Sequence, residues 1–142
     1  KAKPNVMGHN IETVKRLSPT IRVLRANYNQ SLKVLKYVKE LDSSIFTKSS
    51  LMLGLGESEE EILQTAQELR DVDVDIITLG QYLQPSLSHL SVKEFVTPEK
   101  FYQLKLDLKK LGFLHVESGP FVRSSFRASD VIDLIIKNTD KE

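Results

Sequence analysis

Three short segments of this 142-residue chain carry residues whose types and spacing could do chemistry. The first is Gly54-Leu55-Gly56-Glu57. Two glycines let a ligand approach the backbone closely. A helix opening at Ser58 offers free N–H groups beside them. The same residues also suit a strand-to-helix turn closed by a capping carboxylate, and a short glycine-rich turn is a weak signal. The second segment is His9-Asn10-Ile11-Glu12. Asn10 and Glu12 could grip the two hydroxyls of a ribose, since a carboxylate accepts from both. An Asx-type turn with a surface glutamate is the plainer alternative. The third is Arg123-Ser124-Ser125-Phe126-Arg127, with two cations and two hydroxyls in five residues. A serine there could be a nucleophile, but no Asp–His partner is identifiable, and a solvated loop explains it as well. Asp71, Asp73 and Asp75 resemble an acidic metal loop only loosely and read as solvated turn residues. His9, His89 and His115 share no metal-ligand spacing.

The elements that must position these segments alternate between strand and helix. Asn5 to His9 could be a strand end, and a possible helical turn follows, broken by Pro19. From Asn27 to Leu41, Tyr28, Leu32, Leu35, Val38 and Leu41 recur at spacings of 3 and 4, the period of an amphipathic helix. Ser49 to Leu55 reads as a buried strand. Ser58 with Glu61 is a capping box ahead of a helix on Ile62, Leu63, Ala66 and Leu69. Asp75 to Leu83 is a second buried strand, and Gln84 to Phe95 a loop. Thr97-Pro98 starts a helix on Phe101, Leu104, Leu108 and Leu111, ended by Gly112. Phe113 to Val116 is a short strand, and Asp130 caps a last helix through Ile136. Buried strands separated by helices imply α/β architecture with a parallel sheet. The polar residues gather at the C-terminal strand ends, the edge where ligands bind in such sheets.

Composition narrows the class. Lys plus Arg is 20 and Asp plus Glu is 19, which argues against a protein that works by neutralising nucleic-acid phosphates. No stretch approaches the roughly 20 apolar residues of a membrane helix, and no signal-peptide pattern is read. There is no cysteine, which excludes disulfides, thiolate metal sites and thiol catalysis within these residues.

In combination the segments resemble lipoyl synthase, of the radical S-adenosylmethionine superfamily. The resemblance rests on His9-Asn10-Ile11-Glu12-Thr13, Arg25-Ala26-Asn27-Tyr28 with Gln30-Ser31-Leu32, Thr47-Lys48-Ser49, and Met52-Leu53-Gly54-Leu55-Gly56-Glu57. It continues through Thr78-Leu79-Gly80-Gln81-Tyr82-Leu83-Gln84-Pro85, His89-Leu90 and Val96-Thr97-Pro98-Glu99. Gly112-Phe113, Ser118-Gly119-Pro120 and Val122-Arg123-Ser124-Ser125 complete it, collinear over residues 4 to 128.

The resemblance implies the C-terminal half of a partial (β/α) TIM-type barrel in residues 1–128, with a C-terminal helix or tail in 129–142. It implies a parent enzyme that inserts two sulfur atoms, at C6 and C8, into a protein-bound octanoyl chain. The implied cofactors are S-adenosylmethionine and two 4Fe–4S clusters, the second consumed as sulfur donor. Ser50 to Glu57 matches the superfamily pattern G-x-I-x-G-x-x-E, with Ser50 at the first glycine position. The resemblance assigns cofactor binding to Asn10, Glu12, Met52, Gly54, Gly56, Glu57, Gln81 and Gln84. It makes one of Ser124 and Ser125 a ligand of the auxiliary cluster, supported by Arg123. Phe126 stands where the family usually has Tyr.

The family's C-x-x-x-C-x-x-C and C-x4-C-x5-C motifs are absent. The chain alone is therefore expected to be inactive, as half a barrel cut in the middle. A half-barrel exposes an edge strand and its inner face, so self-association, or rearrangement of the first strand, is expected. The competing reading is a non-catalytic half-barrel that binds a nucleotide or a protein partner. The implied partners are octanoylated lipoyl-carrier domains, the 2-oxo acid dehydrogenase E2 and the glycine cleavage H protein, with an electron donor such as ferredoxin or flavodoxin. The implied location is the bacterial cytoplasm, a mitochondrion or a plastid, and Val92 to Phe101 and Arg25 to Leu35 lean toward organellar forms.

Overall fold

The computed structural model describes residues 5–21 and 27–123, together with Asp133, Ile136 and Lys137. The chain runs β1 (Val6–Gly8), α1 (Ser18–Ile21), α2 (Tyr28–Leu41), β2 (Phe46–Leu53), α3 (Glu59–Asp71), β3 (Ile76–Gln81), α4 (Pro98–Lys109) and β4 (His115–Ser118). The four strands form one open sheet in the order β1-β2-β3-β4. Every pair is parallel, with Val6 beside Phe46, Lys48 beside Ile76 and Ile76 beside His115. This is the α/β parallel architecture the pattern predicts. The capped final helix expected from Asp130 falls mostly outside the described residues. Ile136 packs against Ile76.

Local signals set the helix starts. Asn27 caps α2 by accepting the Gln30 N–H at 2.7 Å. Ser58 and Glu61 close both halves of the capping box on α3. Thr97 accepts the Lys100 N–H at 3.2 Å, with Pro98 at the first turn of α4. The buried helix residues are those at helical spacing: Tyr28 and Leu35, then Ile62, Ala66 and Leu69, then Phe101, Leu104 and Leu108. Leu41, predicted on the same stripe, is 66% exposed, because the chain leaves the helix at Asp42.

β2 starts three residues earlier than the apolar pattern predicts. Thr47, Lys48, Ser49 and Ser50 are buried although polar. Their polar atoms have partners, as burial requires. The Thr47 N–H donates to Asp75 Oδ2 at 2.8 Å, and Ser49 Oγ accepts the Ile11 N–H at 2.9 Å. Asp75 also holds Lys39 at 2.7 Å. It is therefore a half-buried lock between α2 and the sheet, not a solvated turn residue. β4 begins at His115 rather than Phe113, since the Leu114 N–H is committed to Asp75 O at 2.8 Å.

Side chains alternate across the strands. Leu51, Leu53, Ile77, Leu79 and Val116 face the helices and make the main core. Each such leucine, isoleucine or valine contributes about 1.5–3 kcal/mol by leaving water. The other face carries Lys48, Ser50 and Met52 of β2, Ile76, Thr78 and Gly80 of β3, and His115 and Glu117 of β4. At the lower end of this inner face Val6 and Phe46 pack on Ile76. β1 lies parallel beside β2.

Candidate functional site

At the C-terminal ends of β2 and β3 the polar inner face opens into a cavity of about 250 Å³. Glu12, Ser50, Met52, Thr78, Gly80 and Arg123 are among its walls. Glu12 reaches it by an unusual route. Its N–H donates to Ser50 O and its carbonyl accepts the Met52 N–H, both at 2.9 Å. It is thus stitched beside Leu51 as an isolated parallel bridge. Its φ is 72°, which for a residue with a side chain costs on the order of 1–3 kcal/mol. The surrounding hydrogen bonds impose that conformation and fix the half-buried carboxylate at the strand ends.

Ser50 and Thr78 hydrogen-bond to each other across the inner face. Lys48, one row below, is buried, and that burial pushes its ammonium below the usual lysine range. His115 lies 3.0 Å from Glu117 on β4. Arg123 is exposed, its Nη1 donating to Val122 O at 3.0 Å and Pro120 O at 3.3 Å. The space therefore has a carboxylate on one side, a guanidinium on another, and hydroxyls and a flat glycine strand beneath. That set suits a nucleoside with charged and hydroxyl groups. A second cavity of about 520 Å³ adjoins it across Met52, Tyr82 and Pro85, with Ile21, Leu55 and Leu90 around it.

Of the residues nominated from sequence, Glu12, Met52, Gln81 and Arg123 come together at the first cavity. The others sit nearby in different jobs. The Glu57 carboxylate accepts the Gly54 and Leu55 N–H groups, each at 3.0 Å, so it closes the turn after β2. Gly54 has φ 98°, and a Cβ there would meet Gln81 Nε2 and Glu94 O, each at 2.4 Å. Protein atoms already fill that approach. Gln81 donates to Tyr82 O at 2.9 Å and Glu94 O at 3.0 Å, and accepts the Val96 N–H at 2.9 Å. It staples the loop after β3 to the sheet while lining the cavity. Gln84 donates to His89 O at 2.9 Å inside that loop. Gly56 belongs to the same turn as Glu57, and Asn10 is half-buried just before Ile11. Neither Gly56 nor Asn10 is among the described walls of the cavity. Ser124 and Ser125 lie outside the described residues.

Thr78 and Gly80 were not nominated from sequence as site residues. The signal was present: polar or small residues at every second position of an otherwise apolar strand, which in a parallel sheet all face one way. Among the described residues no three of His, Cys, Asp or Glu gather as a metal-holding group, and no helix is long and apolar enough to cross a membrane.

No protein-family model matches the chain. Individual relatives do. The chain is 55% identical over 130 residues to the lipoyl synthase of Myxococcus xanthus, covering 92% of the chain and 44% of that protein. It is 56% identical over 126 residues to the mitochondrial lipoyl synthase of Caenorhabditis elegans, covering 89% and 36%. It is 54% identical over 138 residues to the chloroplastic lipoyl synthase of Ricinus communis, covering 97% and 37%. The chain thus spans less than half the length of each of these relatives. Nearly the whole chain matches proteins of one name at over half identity, so it resembles a part, less than half, of the lipoyl synthases.

Proposed function

We propose that this chain forms the S-adenosylmethionine-facing part of a lipoyl synthase, an enzyme that inserts sulfur at C6 and C8 of a protein-bound octanoyl chain. The observation that carries this reading is the convergence of Glu12, Met52 and Arg123 on one cavity, in a chain so close to lipoyl synthases. S-adenosylmethionine, when bound and reduced, supplies the radical that removes hydrogen from the octanoyl carbons.

The chain's own residues have narrower jobs. Glu12 accepts hydrogen bonds from the ribose hydroxyls at a position its strained backbone fixes in advance. Met52, facing the cavity from β2, gives the adenine an apolar seat. Gln81 and the loop it staples keep water from that seat. One of Ser124 and Ser125 would offer an oxygen ligand to the auxiliary cluster. The chain has no cysteine and so offers no thiolate to either cluster, and by itself it forms no lipoyl product. The acyl carrier is a lipoyl-type domain such as the E2 or H protein. Its acidic surface meets Arg123 and neighbouring basic residues, and a ferredoxin or flavodoxin delivers electrons. Location follows the relatives, which include bacterial, mitochondrial, apicoplast and chloroplast proteins. The open edge at β1 pairs with a second copy when the chain is alone, and sedimentation at a single monomeric mass would refute that.

The test is a graft. Replacing the matching span of the Myxococcus xanthus enzyme with this chain should preserve lipoyl product formation on an octanoylated carrier. A folded graft with its full iron content and no product would refute the reading and favour a non-catalytic binding module.

A further inference from the structure

We infer that Gly80 is a positioning residue for this reaction, an inference that rests on the function proposed above. It sets how deep the Val122–Arg123 segment lies over the sheet. Gly80 is on the inner face of β3, beside Met52 of β2. The chain leaves β4 and crosses directly over it. The Gly119 N–H donates to Leu79 O at 3.1 Å, and the Val122 N–H returns to Gly119 O at 3.2 Å. This turn lays the Val122 carbonyl where a side chain at residue 80 would be. A Cβ built on Gly80 would be 2.2 Å from Val122 O, 3.2 Å from Val122 C and 4.0 Å from Arg123 Nη1.

The obstacle is contact alone, since the backbone of Gly80 is one that alanine adopts freely. The neighbouring group is backbone, which cannot swing aside as a flexible side chain could. Alanine at residue 80 therefore lifts the Val122 carbonyl by roughly 1 Å to reach ordinary contact. Arg123 hangs from that carbonyl by its own guanidinium, at 3.0 Å, and moves with it. One missing methyl group thus sets the placement of Val122 and Arg123 over the cavity that they and Gly80 share with Glu12.

Two variants test this. Gly80→Ala creates the clash. Gly119→Ala, three residues before Val122, does not, because its Cβ meets only Val122 Cγ2 at 3.6 Å. In the chain, Gly80→Ala should expose the Gly119 and Val122 amides to hydrogen exchange while Leu51 and Leu79 stay protected, and Gly119→Ala should alter neither pair. In the graft into the Myxococcus xanthus enzyme, Gly80→Ala should change the Mössbauer spectrum of the auxiliary cluster. It should also lower lipoyl product by about 100-fold, the usual cost of a 1 Å misplacement near a reacting group. Gly119→Ala should match the unsubstituted graft in both. Unchanged exchange at Gly119 and Val122, or an unchanged spectrum and product yield, overturns the inference. An inactive unsubstituted graft overturns the functional reading instead.

Discussion

Gln81→Leu isolates one side chain's hold on the roof of the cavity. Gln81 is 8% exposed at the end of β3. Leucine has a similar volume and no polar atoms, so it removes the amide while largely keeping the packing. Three hydrogen bonds go: from the Val96 N–H at 2.9 Å, to Glu94 O at 3.0 Å and to Tyr82 O at 2.9 Å. Their costs differ. Val96 is buried, and losing the acceptor for its N–H costs about 1–3 kcal/mol. Glu94 is exposed and its carbonyl can turn to water, and the buried Tyr82 carbonyl tolerates losing one donor better than an N–H tolerates losing its acceptor, so the two donated bonds are worth about 0.5–1 kcal/mol each. The sum is about 3 kcal/mol, or roughly 10 °C in Tm for a chain of this length. Urea unfolding followed by circular dichroism reads the total, and hydrogen exchange at Val96 reads its location. A loss under about 1 kcal/mol with the Val96 amide still protected would show that Gln81 is not the staple.

Three further outcomes follow from the same geometry. Glu57→Ala frees the Gly54 and Leu55 N–H groups and should cost about 2 kcal/mol by calorimetry, with Glu57→Gln recovering part of it; no change would mean the turn does not depend on that carboxylate. Glu12→Gly relieves a positive φ, so Tm should hold or rise while S-adenosylmethionine binding is lost; a fall in both would make Glu12 a structural residue only. The Arg16 guanidinium, then the Ser58 N–H, hold the Glu61 carboxyl down at about 2. A lowered folded pKa stabilises above the unfolded value of 4.5 and fades as pH falls toward 2. Across that window Glu61→Gln should unfold with a flatter pH dependence than the parent chain, with the difference shrinking in high salt because Glu61 is partly exposed; parallel curves would count against the pair.

The helices were legible because their signals are local. Asn27, Ser58 with Glu61, and Thr97-Pro98 each act within one turn of the helix they start. The central strands were legible in outline but not in extent. Thr47, Lys48, Ser49 and Ser50 look like loop residues until Asp75, Ile11 and Thr78 are brought beside them from distant positions. The same limit applies to the site. Glu12 and Arg123 are 111 positions apart, and parallel topology alone makes them neighbours of one cavity. The motif at Gly54 to Glu57 shows the converse case. It is visible in the sequence as a possible ligand loop, yet its carboxylate is spent on its own backbone, and the described walls of the cavity include Met52, two residues earlier, but none of Gly54 to Glu57. Spacing could not separate those two roles, because both need glycine and an acid at the same positions.

The most direct test of the central claim is a titration of this chain with S-adenosylmethionine, followed by amide resonances. Shifts should gather at Glu12, Ser50, Met52 and Gly80, and Glu12→Gly should abolish them. Saturating ligand with no shifts at those residues, or shifts gathered on the helical face around Glu68 and Gln64, would contradict it.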